Sequence, residues 1–218
     1  MPQRSATGTG HGSGQTRRSG LTRLTLLGFR EREEIDRLWT RKLRQDAAGT
    51  AQPDRHRNLE PASAEFLCAL AAGIEARKMV EIGGSSGIST IALAVAARAV
   101  SGHLTSIEIE PQRQQEAQQT LSRLELTPFV DFVLADAASI LPTLEEVQLA
   151  LIDCEKEDYI RFFDLLPMAA GGIVVADNII SHRLADYVAH VRSHAGVESI
   201  TLPIGQGMEI TRFRQPGR

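Results

Sequence analysis

Cysteine is scarce in this chain: 218 residues contain two, Cys68 and Cys154. They match no metal-ligand spacing and no disulfide framework, so a reduced, cytoplasmic setting is expected. A strong excess of one charge is also missing. Lys and Arg number 24 against 27 Asp and Glu, a net charge of −3. That balance argues against a dedicated nucleic-acid surface. Basic residues do gather near the start (Arg4, Arg17, Arg18, Arg23), and a flexible basic tail explains them. No apolar run reaches the roughly 18 residues of a membrane span. The first residues lack the apolar core of a secretion signal. Internal repeats are absent.

What is present fits one α/β domain with appendages. Hydrophobic residues make up 42% of the chain, enough for a substantial core. Residues 1–20 are Gly, Ser, Thr, Gln and Arg with almost no large apolar side chains, a composition that predicts disorder. Residues 21–61 read as a helical extension and linker. Its helix spans about 30–45, with Ile35, Leu38, Trp39 and Leu43 on one face. The remaining domain, 62–218, opens with a helix over about 62–76 that carries Phe66, Leu67 and Leu70. Strands are then predicted at 78–82, 104–109, 129–134, 148–153, 172–177, 198–202 and 208–213. Helices at 87–99, 111–124, 138–146, 157–167 and 182–194 separate most of them. Apolar strands alternating with helices predict a Rossmann-like, doubly wound, seven-stranded and mostly parallel sheet. Only Pro-Ile-Gly-Gln-Gly links the last two strands. No helical crossover fits there, so they are expected to form an antiparallel terminal hairpin.

The most informative stretch is Val-Glu-Ile-Gly-Gly-Ser-Ser-Gly-Ile-Ser-Thr, residues 80–90. An apolar run ends in Gly83-Gly84, and Gly87 opens an Ala/Leu-rich segment. This is a strand, a tight turn and a helix start, where backbone approaches a ligand and N–H groups are free. The dinucleotide fingerprint wants glycine at the first, third and sixth turn positions. Here those are Gly83, Ser85 and Ile88, which disfavours a nicotinamide oxidoreductase. The phosphate-binding Gly-Lys-Ser/Thr pattern is missing too. Glu81 followed by Gly-x-x-x-Gly resembles the first motif of S-adenosylmethionine-dependent methyltransferases.

Glu108 ends the second strand about 20 residues past the turn, where a doubly wound fold grips ribose hydroxyls. A carboxylate accepts both hydrogen bonds of a vicinal diol. Glu110, two residues further on, is its competitor. Asp136 follows the third strand beside Ala137, and suits both an adenine contact and a helix cap. The fourth strand delivers Asp153; the fifth delivers Asp177 and Asn178. If those strands are neighbours, about 4.8 Å apart, three hard oxygen donors converge. Such donors suit Mg²⁺ or Ca²⁺ and leave coordination room for substrate oxygens. Lys156, three residues past Asp153, is then a general base with a lowered pKa beside the cation.

From about residue 58 onward the chain resembles the cation-dependent O-methyltransferases, such as catechol and caffeoyl-CoA O-methyltransferases and their small bacterial relatives. The resemblance rests on Glu81-Ile-Gly-x-x-x-Gly87-x-Ser89, Ile107-Glu108, Asp136-Ala137, Asp153-x-x-Lys156-x-x-Tyr159 and Gly171-Gly172-x-x-x-x-Asp177-Asn178, with Pro-Ile-Gly-Gln-Gly-Met-Glu near the end. It implies that Asp153, Asp177 and Asn178 bind the metal, that Lys156 is the base, and that Glu108 holds the ribose of S-adenosyl-L-methionine. It puts Glu81, Gly83, Gly87, Ser89, Asp136, Ala137 and Asp153 at the cofactor, with Gly83 and Ser89 near its methionine end. Glu209 falls where catechol methyltransferases place a carboxylate near the acceptor hydroxyl. The usual Asp-Ala-Asp-Lys is here Asp153-Cys154-Glu155-Lys156, and the usual Gly-Tyr-Ser is Gly87-Ile88-Ser89. A homodimer is also implied.

The expected activity is divalent-metal-dependent methyl transfer from S-adenosyl-L-methionine to a hydroxyl of a small, catechol-like aromatic acceptor, with Mg²⁺, Ca²⁺ or Mn²⁺ as the ion. The alternatives are a metal-independent methyltransferase or aminopropyl transferase on the same fold, or a cofactor-binding protein without catalysis. In the last case segment 30–45 docks on another subunit or covers the acceptor site.

Overall fold

The computed structural model describes residues 26–51 and 55–214, so the expected tail over 1–20 lies outside the described residues. Two helices come first, α1 (Phe29–Ala47) and α2 (Pro61–Gly73). Strand and helix then alternate: β1 (Lys78–Ile82), α3 (Ile88–Val100), β2 (His103–Glu108), α4 (Pro111–Arg123), β3 (Val130–Leu134), α5 (Ala137–Ile140), β4 (Val147–Ile152), α6 (Tyr159–Leu165), β5 (Met168–Ala176) and α7 (Ala185–Ser193). The chain closes with β6 (Val197–Leu202) and β7 (Met208–Phe213).

The strands form one seven-stranded sheet in the order β3-β2-β1-β4-β5-β7-β6. Neighbours from β3 to β5 pair in parallel. β7 runs antiparallel to both β5 and β6, as its short connection requires. The chain travels outward from β1 to β3, then returns to β4 on the other side of β1. Doubly wound folds bind ligands at such a reversal, outside the C-terminal ends of the strands. Here those ends carry Gly83 and Asp153.

Strand alternation divides the core between the two faces. Met79, Leu104, Leu149, Leu151 and Val175 pack with Leu38 of α1, Leu67 of α2 and Ile91 of α3. Val80, Ile82, Ile107, Ala150 and Ile152 pack with Tyr159, Phe162 and Phe163 of α6 and Tyr187 of α7. α1 is thus built into the main core. Ile35 and Leu38 are buried as its periodicity predicts, whereas Leu43 is exposed.

Three predicted helices are shorter than expected, each for a local reason. The one expected over 138–146 stops as α5 at Ile140 and tightens into a 3₁₀ turn, Leu141–Thr143. Pro142 within it has no N–H to continue an α-helix. The helix expected over 157–167 begins as a 3₁₀ turn, Lys156–Asp158, and ends at Leu165, two residues before Pro167. The one expected from 182 starts at Ala185. Before it, the amides of Ile179, Ile180 and Ser181 donate to carbonyls of Gln206 and Gly207 instead of making helical bonds. β5 is longer than expected, running from Met168, because an irregularity at Val147/Leu149 lets its start pair with β4.

Candidate active site

At the C-terminal ends of β1, β2, β3, β4 and β5 the described residues enclose a cavity of about 630 Å³. That volume suits a drug-sized ligand. Its floor is the glycine turn. Gly83 has φ +92, a conformation that side chains rarely adopt, and a Cβ there would lie 2.2 Å from the Asp153 carbonyl oxygen. Its amide donates to the Ile107 carbonyl, and the Asp153 amide donates to the Ile82 carbonyl. The three strand ends are therefore sewn together with no room for a side chain between them.

Glu108 projects from the tip of β2 into the cavity wall and is 6% exposed. One carboxylate oxygen accepts from the Ser85 amide at 2.8 Å; the other accepts from the amides of Ile109 (2.8 Å) and Glu110 (2.9 Å). Three backbone donors fix the carboxylate, and its remaining lone pairs are available to a diol. Glu110 instead precedes α4 as its N-cap residue and does not line the cavity. Asp136 and Ala137 line it. Asp136 also caps α5 by accepting from the Ala138 amide at 2.9 Å, so ligand contact and capping are compatible.

Asp153, Lys156, Asp177 and Asn178 meet on the opposite wall. β4 and β5 are paired neighbours, with Ile152 opposite Ala176, which brings their tips together. Asp153 Oδ1 accepts from Asn178 Nδ2 at 2.7 Å and from Lys156 Nζ at 3.4 Å. Asp177 is 3% exposed, and its Oδ1 is buried with no hydrogen-bond partner. An orphaned carboxylate oxygen at that depth is costly unless something cationic satisfies it. Two carboxylates and an amide are the oxygen donors that hard divalent ions take. The residues fit such an ion on this ground.

Tyr159 completes this corner. Its hydroxyl accepts from Lys156 Nζ at 2.6 Å and donates to the Asp177 carbonyl at 3.1 Å. It is fully buried, and burial pushes its phenol well above the ordinary range. The phenol stays protonated and pins the lysine beside Asp153.

Burial also pushes the Asp177 carboxyl up to about 8, with the Asp153 charge acting in the same direction. Asp153 is raised by burial too, against the lowering effects of Lys156 and Asn178. A raised carboxyl holds its proton more tightly folded than unfolded. Its stabilising contribution is whole below the ordinary value of 3.8 and is lost as pH rises to about 8. In chelator, thermal unfolding is therefore expected at lower temperature at pH 8 than at pH 5. Asp177→Asn is expected to remove most of that slope, and saturating Mg²⁺ to flatten it by replacing the proton. An unchanged slope in the variant would assign it to other groups.

Three residues expected at the cofactor sit behind the turn instead. Glu81, Gly87 and Ser89 do not line the cavity. Alternation turns Glu81 toward α3, where Oε2 accepts from Thr90 and Ser106 at 2.7 Å each. Gly87, with φ +108, lets the turn close on α4, where a Cβ would meet Ala117 at 3.3 Å. Ser89 is buried in the first turn of α3. These residues shape the turn from behind. Glu209 is likewise outside the cavity: it is fully buried and accepts from Arg192 (3.0 Å) and Ser199 (2.6 Å).

The region before β1 also supplies walls: segment 30–45 is expected, in one alternative, to dock on a subunit or cover the acceptor site, but sequence reasoning singles out no individual residue here for the cavity. Trp39 and Lys42 of α1, and Arg55, Arg57 and Asn58 of the linker, line the cavity. Asn58 exchanges two hydrogen bonds with Ser86 of the glycine turn, at 2.9 and 3.0 Å. Arg57 is paired with Glu155, across from the linker.

The cavity at the sheet's reversal point thus holds a carboxylate fixed by three backbone amides and an acidic corner with a lysine, and known proteins identify the family. The O-methyltransferase family profile matches residues 34–212, and the chain belongs to that family. It is 35% identical over 120 residues to a catechol O-methyltransferase of Mycobacterium tuberculosis, covering 53% of this chain and 54% of that protein. The chain thus spans about half the length of the curated relatives it matches. The solved structure of cofactor-bound Rv0187 from MTB superposes with a TM-score of 0.69 at 26% identity, covering 84% of this chain and 91% of that one. The SAH-bound methyltransferase PaMTH1 of Podospora anserina shares the fold, with a TM-score of 0.74 at 17% identity over 86% and 89% of the two chains. No helix among the described residues is long and apolar enough to cross a membrane.

Proposed function

We propose that this protein transfers a methyl group from S-adenosyl-L-methionine to one hydroxyl of a small catechol-like acceptor, with a divalent cation held by Asp153, Asp177 and Asn178. The observation that carries this reading is the buried, unpartnered Asp177 oxygen beside Asp153 in the same wall as Lys156. When bound, Mg²⁺ or a similar ion supplies Lewis acidity that favours the ionised form of an acceptor hydroxyl. Lys156 Nζ takes the acceptor proton. Tyr159 holds that amine in place, and Asp153 faces it. Glu108 anchors the donor's ribose, and the glycine turn lets its backbone approach the donor closely. Trp39, Arg57 and Asn58 close the cavity from the α1 side and help exclude water. Holding donor and acceptor in one orientation accounts for much of the rate.

The test is incubation with isotopically labelled S-adenosyl-L-methionine, Mg²⁺ and a panel of catechols and simple phenols, followed by identification of the labelled product. Mono-O-methylated catechols are expected, with isolated phenols turned over poorly. Labelled products formed equally well from phenols would remove the vicinal-diol requirement. Glu108→Ala is expected to weaken cofactor binding by about tenfold or more, as loss of charged hydrogen bonds does, while leaving the Mg²⁺ requirement intact. Calorimetry with S-adenosylhomocysteine reads the first effect; unchanged affinity would remove Glu108 from the donor site.

A further inference from the structure

Outside the cavity lining lies a second group of ligand-type side chains. Asp164 near the end of α6 faces His190 of α7 and His194, the capping residue just after α7. One ligand atom from each lies within 4.8 Å of the others. Asp164 Oδ1 is 2.7 Å from His190 Nε2 and 3.9 Å from His194 Nε2. The two histidines are four residues apart, the spacing that brings helix side chains onto one face. Phe163 sets its ring edge to face against both imidazoles, with centroids 6.2 and 5.6 Å away. Phe163 thus gives both imidazoles a common aromatic neighbour beside the carboxylate. All three side chains reach solvent, which leaves an open side for entry and for water.

We propose that Asp164, His190 and His194 form a surface site for Zn²⁺, separate from the acidic corner of the cavity. Two imidazole nitrogens and one carboxylate oxygen make a borderline-soft donor set. It suits Zn²⁺ and disfavours Mg²⁺, which prefers oxygen alone. Zn–N and Zn–O bonds of about 2.0–2.2 Å place tetrahedral ligand atoms roughly 3.3 Å apart. The two separations from Asp164, 2.7 and 3.9 Å, bracket that value, and the third lies within 4.8 Å, so rotation of exposed side chains completes the site. The ion takes water as its fourth ligand. Its effect is to fasten α6 to α7, which already meet through Phe163 and Tyr187 at 6.0 Å. Tyr187 in turn packs on Tyr159 at 5.5 Å, so the fastening reaches the residue that holds Lys156.

The test uses the full chain, stripped with chelator and kept in excess Mg²⁺, with Zn²⁺ titrated against a chromophoric competitor. Wild-type chain and Asp177→Asn are both expected to take up one equivalent. The double variant His190→Gln/His194→Gln is expected to lose it, and Asp164→Asn to bind about tenfold or more weakly. Zn²⁺ is expected to raise the melting temperature of wild type but not of the double variant, since an ion that binds only the folded chain stabilises it. Wild-type uptake by the double variant, no uptake by wild type, or uptake abolished by Asp177→Asn would each overturn the site. Dependence of methyl transfer on Mg²⁺ is unaffected by any of these results.

Discussion

Asp153→Ala is expected to abolish methyl transfer, with kcat lower by about a thousandfold or more, while S-adenosylhomocysteine still binds. On the proposed mechanism the magnitude follows from losing a ligand of the cation and the carboxylate facing Lys156 together, contributions of several kcal/mol each to the transition state. Asp153 Oδ1 accepts from both Asn178 and Lys156, so its removal frees the Asn178 amide and leaves Lys156 held by Tyr159 alone. Donor binding survives because Glu108 lies on the other wall, held by backbone amides, and the turn meets Asp153 through its main chain, which the substitution leaves alone. Steady-state kinetics with a catechol acceptor, paired with calorimetry, separates the two effects. Turnover within tenfold of wild type would remove Asp153 from the catalytic corner.

Gly83→Ala is expected to be the most damaging glycine-to-alanine change among the described residues. Two costs coincide at this position. The backbone has φ +92, and the added carbon would sit 2.2 Å from a carbonyl oxygen that belongs to Asp153. That oxygen is main chain at the tip of a central strand and has nowhere to move. A loss of about 3 kcal/mol or more, seen as low solubility or a sharply lowered melting temperature, is expected. Gly49→Ala is the matched control. It also has positive φ, but nothing lies within 4 Å of its Cβ position, so only the backbone cost of about 1 kcal/mol applies. Equal melting temperatures for the two variants would show that the glycine turn is not close-packed on Asp153.

The sheet was legible because its strands are apolar runs bounded by turns, and because a five-residue link admits only a hairpin. Convergence of Asp153, Asp177 and Asn178 followed from one inference, that strands four and five are neighbours; β4 and β5 do pair. The remainder depends on information that spacing does not hold. Asn58 lies in a linker without periodicity, and its partner Ser86 is 28 residues away. Trp39 reads as one more core residue of α1, although it stands at the cavity. Glu81 belongs to the motif by position, yet strand alternation, which was available from sequence, turns it toward Thr90 and Ser106. Tyr159 was visible as part of a motif, but its bridge from Lys156 to the Asp177 carbonyl needs coordinates. Helix ends at Pro142 and Pro167 were readable in principle; the loop before α7 was not, because Gln206 and Gly207 satisfy it from far along the chain.

Direct measurement of Mn²⁺ binding by electron paramagnetic resonance, on chelator-stripped chain with a catechol acceptor assayed in parallel, bears most immediately on the acidic corner. One bound ion is expected, lost in Asp177→Asn, with methyl transfer rising in proportion to its occupancy and absent in excess chelator. Full methyl transfer by metal-free chain, or an ion that remains bound when Asp177 is replaced, would contradict a cation held between β4 and β5.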